Sequence, residues 1–218
     1  MTSSVFITRN ASDSPGLIEE LIRSGFNVQA IPLIRSEPIA FDRNIPETDW
    51  IFFSSSNAVR FFFQANPIIQ HQFFAAIGDA TARTLTAFRL PDFTGSSSDI
   101  QKTALEFAEI AANASVLFPG PETGIRQIQK ALNPSQIVDL ICYRTIPTPL
   151  NVGFPDILVF SSPSNVESFF QINAIQQHQR FIAFGSSTAL SLKKHGIVNP
   201  TIPKSLSDED LLQAIKHC

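Results

Sequence analysis

The chain has 218 residues, of which 44% are hydrophobic and 16% are charged. This length accommodates one large domain or two of about 100 residues, and the composition excludes a disordered protein. The net charge of −3 argues against nucleic acid or an anionic membrane as a partner, because both attract basic surfaces. An anionic ligand would therefore have to be held by local hydrogen-bond donors.

Cysteine and histidine are too few and too scattered to suggest a metal site or a disulfide framework. The cysteines are Cys142 and Cys218, and the four histidines lack the spacing of metal ligands. The first residues, MTSSVFITRN, do not resemble a signal peptide, and no apolar run reaches the ~20 residues that span a bilayer. We therefore expect a soluble, cytoplasmic protein with reduced thiols, no metal, and no membrane partner.

Apolar runs alternate with amphipathic stretches along the whole chain. Runs such as WIFF, ILVF and FIAF are continuous, as in parallel strands covered by helices on both faces. The alternation predicts an α/β fold with doubly wound parallel sheets. Strands are predicted near 4–8, 26–31, 50–54, 74–77, 91–94, 115–118, 136–141, 156–160, 181–184 and 198–202. Helices are predicted near 14–24, 56–65, 79–88, 98–111, 122–132, 164–172, 186–195 and 207–217.

The two halves of the chain resemble each other. A shift of 107 positions aligns residues 50–85 with 157–192 without a gap, and 18 of the 36 pairs are identical. The preceding segments match more loosely, and each reads as a strand, a polar turn, a helix and a strand. The pattern indicates an internal duplication that produced two similar α/β domains.

Two proline-bearing segments, 30–41 and 141–154, are candidate linkers, because proline favours extended backbone over helix. If both cross between domains, the middle of the chain forms one domain and its two ends form the other. A single division near residue 112 would fit the repeat equally well. The residues alone leave both arrangements open.

Serine-rich elbows follow the third strand of each repeat. In a parallel sheet, ligands bind beyond the carboxyl ends of the strands, where helix N-termini offer backbone N–H groups. Small hydroxyl side chains there would add donors for a carboxylate or a phosphate, although simple helix capping explains the same residues. The candidates are Ser54, Ser55, Ser56 and Asn57 in the first elbow, and Ser161, Ser162 and Ser164 in the second.

A glycine and a threonine mark a second repeated turn, AIGDATARTL and AFGSSTALSL. Gly78 and Gly185 allow a tight turn after the strand, and Thr81 and Thr188 fall in the first helical turn. Neither stretch has the spacing of a nucleotide-binding motif, so no nucleotide cofactor is expected. Ligand contact and plain helix capping explain these residues equally well.

Three further side chains carry chemistry. Tyr143 is the single tyrosine beside 20 phenylalanines, and it lies in the second candidate linker. Its phenol could donate a hydrogen bond or transfer a proton in a cleft, or it could simply lie at a rim. Arg126, in PGPETGIRQI, and Arg9 could each clamp a carboxylate, although a solvated surface arginine is the favoured account of Arg126.

Taken in order, these motifs resemble those of the uroporphyrinogen-III synthase family. The resemblance extends over nearly the whole chain and rests on the order and spacing of its short motifs. They are VFITR, SGFNVQAIPLI, WIFFSSSNAVRFFF, AIGDATA, LFPGPETGIRQIQKAL, CYRT, ILVFSSPSNVESFF and AFGSSTALSLKKHGI.

The resemblance implies two α/β domains joined by a two-stranded linker, with the chain crossing twice. Domain 1 would then comprise residues 1–34 and 147–218, domain 2 residues 37–140, and the linkers about 31–37 and 138–147. It further implies an enzyme that needs no cofactor and cyclises hydroxymethylbilane to uroporphyrinogen III, with inversion of ring D and loss of water. We expect a monomer that makes at most a transient contact with the preceding enzyme of the pathway.

The family's functional positions transfer to this chain by motif. The tyrosine proposed to help the leaving hydroxyl depart falls on Tyr143, and the threonines of the two glycine turns fall on Thr81 and Thr188. The small hydroxyl clusters fall on the two serine elbows. The family often has Arg-Gly after its sixth strand, but this chain has Pro119 and Gly120, so no weight is given to an arginine at that turn.

Two rival functions use the same features. A non-catalytic bilobed module that binds a small anion would need the elbows but would not turn over a substrate. A two-domain transferase that uses an activated sugar would need a carboxylate or basic cluster for the diphosphate, and none stands out.

Overall fold

The computed structural model describes residues 2–205 and 207–218. The chain divides into two compact units: unit 1 contains residues 1–35 and 146–218, and unit 2 contains residues 36–145. The elements are, in chain order, β1 (Ser4–Ile7), α1 (Pro15–Arg23), β2 (Asn27–Ala30), β3 (Ile34–Pro38), β4 (Trp50–Phe53), α2 (Ser56–Gln64), β5 (Phe73–Ile77), α3 (Asp79–Thr86), β6 (Phe93–Gly95), α4 (Ile100–Ala111), β7 (Val116–Pro121), β8 (Ile137–Pro147), β9 (Ile157–Phe160), α5 (Pro163–Phe169), β10 (Arg180–Ala183), α6 (Ser186–Lys194) and α7 (Asp208–Lys216). Short 3-10 helices occupy Ala11–Asp13, Gln129–Ala131 and Pro134–Gln136.

Unit 1 contains a four-stranded sheet in the order β10-β9-β1-β2, and its neighbouring strands are parallel. All four residues of β9 are buried, because helices cover both faces of the sheet. Leu158 and Phe160 pack with residues of α5 and α6, whereas Ile157 and Val159 pack with residues of α1 and α7. Alternate side chains of one strand therefore enter two separate cores.

Unit 2 contains a six-stranded sheet in the order β3-β8-β7-β4-β5-β6. The ladders from β8 through β6 are parallel. On one face, the ring of Phe52 packs against Phe107 of α4, with centroids 4.7 Å apart. On the other face, Phe53 packs against Phe62 of α2 at 5.4 Å. Both units thus have the parallel α/β architecture that the apolar runs predict.

Each unit joins the starts of two adjacent strands by the same aspartate–serine arrangement. In unit 2, the Asp49 carboxylate accepts hydrogen bonds from the backbone N and the hydroxyl of Ser115, at 2.7 and 2.8 Å. In unit 1, the Asp156 carboxylate accepts the same two bonds from Ser4, at 2.7 and 2.8 Å. These bonds lower the pKa of both carboxyl groups, with the serine hydroxyl the main cause at Asp49 and the backbone N–H at Asp156.

Two predicted elements are wrong. The helix near 122–132 is absent: β7 continues through Pro119, Gly120 and Pro121, a turn follows, and the only helical residues of that segment are the 3-10 turn Gln129–Ala131. The prolines and glycines of PGPETG favour extended backbone and turns, which the apolar periodicity did not reflect. The strand near 198–202 is reduced to one bridge between Thr201 and Ile182, in a segment bounded by two prolines.

The segments expected to be linkers also contain strands. The first, near 31–37, contains most of β3, and the second, near 138–147, falls within the eleven residues of β8. β3 and β8 are neighbours in the sheet of unit 2, and the chain passes between the two units along them. The sequence signal of two extended, proline-bearing segments therefore corresponds to a pair of adjacent strands.

We expect Ser115→Ala to destabilise the protein at pH 7 and to have a smaller effect at pH 3. The folded state lowers the pKa of Asp49, so the stabilisation is present above the ordinary carboxyl pKa and is lost as pH falls through the folded-state pKa. Urea unfolding followed by the fluorescence of Trp50, the single tryptophan, measures this difference.

Thr84→Ala is the control for this measurement, because the Thr84 hydroxyl donates to the backbone carbonyl of Ala80 at 2.9 Å and that bond does not titrate. Its effect should be the same at both pH values. An equally pH-independent effect of Ser115→Ala would contradict the assignment to the Asp49 carboxylate.

Candidate functional site

The two serine elbows cap helices in the same way. Ser55 Oγ accepts a hydrogen bond from the backbone N of Ala58 at 3.1 Å, at the start of α2. Ser162 Oγ accepts one from the backbone N of Asn165 at 3.3 Å, at the start of α5. Each cap satisfies an N–H group that the helix cannot bond internally. The middle serine of each elbow thus has a structural role in addition to any contact with a ligand.

Tyr143 lies in β8 and reaches the first elbow. Its ring stacks on Phe61 with centroids 5.1 Å apart, and the residue is 6% exposed. Its hydroxyl lies 3.3 Å from Ser55 Oγ, within hydrogen-bonding distance. Burial raises the pKa of Tyr143, and the bond with Ser55 offsets part of this effect. The phenol is therefore neutral at pH 7 and can donate a hydrogen bond.

A cavity of about 500 Å³ opens at the carboxyl ends of β4 and β7 in unit 2. Ser54, Ser55 and Tyr143 line it together with the loop 119–126. A bulge at Gly120 and Pro121 shifts the register of β7 against β8, and Glu122 N donates to the carbonyl of Tyr143 at 2.8 Å. The loop is thereby fixed beside the tyrosine. The volume is in the range of small-molecule sites.

The remaining candidates of unit 2 make contacts of their own. The Ser56 hydroxyl donates to the carbonyl of Ala80 at 3.1 Å, and the Asn57 amide donates to Ser36 Oγ at 3.3 Å. Gly78 precedes α3 with a φ of +79°, which favours glycine, and it lines a different cavity of about 420 Å³ beside Ser96, Ser97 and Ser98. These three candidates are therefore not among the residues that line the 500 Å³ cavity.

In unit 1, the second elbow bonds mainly to its own surroundings. The Ser161 hydroxyl donates to the carbonyl of Thr8 at 2.6 Å. The side chain of Asn165 donates to both Ser161 and Ser162, and its oxygen accepts from the backbone N of Leu33 at 2.8 Å. Ser164 is exposed. The network holds the elbow in place, and sequence reasoning missed Asn165 and Thr8 because their partners are distant in the chain.

Thr81 and Thr188 are buried, at 6% and 1% exposure, in α3 and α6. Gly185 precedes α6 with a φ of +108°, so the two glycine turns share the same left-handed geometry. Thr81 is not among the residues that line the 500 Å³ cavity. The buried positions favour packing beneath each glycine turn over direct contact with a ligand.

Sequence reasoning also missed part of the cavity. Glu122 and Thr123 line it from the loop that was predicted as a helix, and Asp139 lines it from β8. The signal was present in PGPETG, whose prolines and glycines are typical of a turn. Arg9, the other arginine that sequence reasoning considered, pairs with Asp208 at 3.0 Å and its guanidinium lies 4.6 Å from the centroid of the Phe184 ring.

Among residues 2–205 and 207–218, no group of three or more histidine, cysteine, aspartate or glutamate side chains is placed to hold a metal ion. Within the same residues, no helix is long and apolar enough to cross a membrane.

Parallel α/β units with a polar cavity at the carboxyl ends of their strands define a class of proteins that bind small polar or anionic molecules. The family model described as "Uroporphyrinogen-III synthase HemD" matches residues 16–213. The chain therefore belongs to the uroporphyrinogen-III synthase family, as its motifs predicted.

Individual relatives are distant but match over the full length. The chain is 25% identical over 245 residues to the uroporphyrinogen-III synthase of Chlorobaculum parvum, with 97% of each chain covered. The structure of uroporphyrinogen-III synthetase from Helicobacter pylori 26695 superposes with a TM-score of 0.74 at 19% identity, covering 100% of this chain and 99% of that one. A mutant uroporphyrinogen III synthase from Thermus thermophilus gives 0.64 at 18% identity, covering 99% and 98%. These similarities confirm the parallel α/β fold.

We expect Tyr143 to titrate above the ordinary phenol pKa of about 10 in the folded protein. It is the single tyrosine, so absorbance near 295 nm reads its ionisation directly. The raised pKa also means that Tyr143 contributes stability below the unfolded value, and this stability is lost as pH rises through the folded one.

Ser55→Ala should raise the pKa of Tyr143 further, because it removes the bond that favours the phenolate. Ser207→Ala removes the equivalent cap of α7, where Ser207 Oγ accepts from Asp210 N at 3.2 Å, and should leave the titration unchanged. Circular dichroism at each pH checks that the protein is folded. Titration of folded wild type at or below the value of the unfolded chain would contradict the burial argument.

Proposed function

We propose that this chain catalyses the reaction of its family, the cyclisation of hydroxymethylbilane to uroporphyrinogen III with inversion of ring D and loss of water. The observation that carries the proposal is the placement of Tyr143: its hydroxyl reaches Ser55 on the wall of a cavity at the carboxyl ends of the strands. Family membership over residues 16–213 supports the assignment independently.

The reaction needs little covalent assistance from the protein. The pyrrole nitrogen beside the hydroxymethyl group supplies the electron pair that expels the hydroxyl, and this leaves a reactive azafulvene. The substituted carbon of ring D then attacks to give a spiro intermediate, which rearranges with ring D inverted. Unguided closure gives the uninverted isomer instead. The protein must therefore fold the linear substrate so that the substituted carbon is the nearer nucleophile.

Tyr143 is suited to the first step. Its buried phenol remains protonated well above pH 7 and can donate a hydrogen bond to the departing hydroxyl oxygen. Ser55 fixes the direction of the phenol, and α2 in turn fixes Ser55 through its cap. We assign Tyr143 as the catalytic residue and Ser55 as its positioning residue.

The elbows and glycine turns supply donors for the carboxylates of the substrate. Ser54 and Ser55 have the most direct support, since they share the cavity with Tyr143. The exposed or half-buried Ser56, Asn57, Ser161, Ser162 and Ser164 stand at the N-termini of α2 and α5, where the helix dipole favours an anion. Gly78 and Gly185 shape the turns, with Thr81 and Thr188 packed beneath them. The chain's negative net charge makes such local donors necessary.

We further propose that the two units are domains that arose by duplication, and that β3 and β8 form the connection between them. The matched serine caps, positive-φ glycines and aspartate–serine pairs support this. The same proposal places the protein in the cytoplasm as a monomer. The two cysteines are free thiols, which fits a reducing compartment. Contact with the enzyme that supplies hydroxymethylbilane would be transient.

Purified protein given freshly generated hydroxymethylbilane should yield mainly the type III isomer. After oxidation, chromatography separates the porphyrin isomers, and a reaction without protein measures the spontaneous type I product. Only type I with folded wild-type protein would contradict the proposal, and retained binding without turnover would then favour the anion-binding module.

Tyr143→Phe should reduce kcat about 10- to 100-fold without abolishing turnover. A hydrogen bond to a charged group contributes about 1.5–3 kcal/mol, and each 1.4 kcal/mol of barrier is a factor of ten. The residual product should still be type III, because the positioning contacts remain. Ser207→Ala is the control and should keep full activity. Complete loss of turnover in folded Tyr143→Phe would show that catalysis depends on one group and not on distributed positioning.

A further inference from the structure

Arg126 contributes the positive charge of the 500 Å³ cavity. Among the described residues that line this cavity there is no other lysine or arginine, whereas Glu122 and Asp139 contribute carboxylates. The Arg126 side chain is 66% exposed, so its guanidinium is accessible to a molecule in the cavity. An anionic substrate that enters beside Tyr143 therefore meets one cation.

The guanidinium is held by a side chain on a neighbouring strand. Arg126 Nη2 lies 3.0 Å from Asp139 Oδ2, and Gln129 Nε2 donates to the other oxygen of Asp139 at 3.5 Å. Asp139 pairs with Phe118 in the ladder between β7 and β8, so its backbone is fixed by the sheet. Because the segment after Pro121 is a turn and not the predicted helix, Arg126 follows the sheet edge directly.

This ion pair is a poor candidate for a stabilising element. Both partners are substantially exposed, and exposed pairs add little to folding stability because water screens them. Arginine has five N–H donors in a planar fork, and the contact through Nη2 leaves further donors for a second acceptor. A carboxylate is the acceptor that this fork binds best, through two parallel hydrogen bonds.

We infer that Arg126 binds one carboxylate side chain of the tetrapyrrole substrate, and that Asp139 is the positioning residue that holds its guanidinium at the cavity wall. The inference rests on the proposed function, since that function supplies a polycarboxylate substrate. It gives Arg126 a role in orienting the substrate relative to the Tyr143 hydroxyl. This role differs from donation to the leaving group.

Arg126→Gln should raise KM for hydroxymethylbilane about tenfold while kcat changes less than about threefold, as expected when a contact is lost equally from ground and transition states. Arg126→Lys keeps the charge without the fork and should give an intermediate KM. Added NaCl should raise the wild-type KM more steeply than that of Arg126→Gln, because the variant has already lost the charge contact.

Arg23→Gln is the matched control. Arg23 is also an exposed arginine paired with a glutamate, Glu20, but it lies in the last turn of α1. Its removal should leave KM, kcat and the salt dependence unchanged. Equal changes in both variants would indicate a general loss of charge and would overturn the inference.

Asp139→Asn tests the positioning role. It should raise KM less than Arg126→Gln does, and the double variant should match Arg126→Gln alone, because Asp139 acts only through the arginine. Effects that simply add in the double variant would contradict this part of the inference.

The isomer assay separates this inference from the proposed function. If wild type forms type III but Arg126→Gln has an unchanged KM, only the inference is wrong. If wild type forms type I alone, the proposed function is wrong. Fluorescence titration with uroporphyrin III then decides the arginine's role: weaker binding by Arg126→Gln supports it, and equal binding overturns it.

Discussion

Burial of apolar strands on both faces of a parallel sheet is the constraint on which the rest of each unit depends. β4 and β9 are buried at every residue, so their side chains alternate between two cores. Parallel pairing then brings the carboxyl ends of the strands to one edge of the sheet. The polar elbows lie at that edge because the chain must leave the core there and start a helix.

The elbow of unit 2 combines a structural and a chemical role in one side chain. Ser55 caps α2 and also lies within hydrogen-bonding distance of the Tyr143 hydroxyl. A cap contributes about 1 kcal/mol to stability, so the serine would be expected there without any function. The added contact ties the direction of the phenol to the start of a helix. This coupling gives a rigid donor at the cavity wall.

The electrostatics of the site suit a substrate with many carboxylates and a reaction that expels hydroxide. A neutral phenol, helix N-termini and one arginine provide donors, while the carboxylates of Asp139 and Glu122 keep the cavity from becoming strongly basic. Cys142, adjacent in the chain to Tyr143, is fully buried, and burial raises the pKa of its thiol to about 12. It remains a neutral core residue, so the strand presents the phenol as its reactive group.

The sequence by itself determined the α/β class, most of the strands and helices, the repeated elbows and glycine turns, and the importance of Tyr143. These are local signals: apolar runs, capping residues and turn residues report on backbone conformation within a few positions. Only the tertiary structure decided which polar residues meet. It replaced the helix near 122–132 with an extended loop, placed Arg126 against Asp139, and buried Thr81 and Thr188. Strand order and register set these contacts, and they depend on pairing between residues distant in the chain, which no local pattern records.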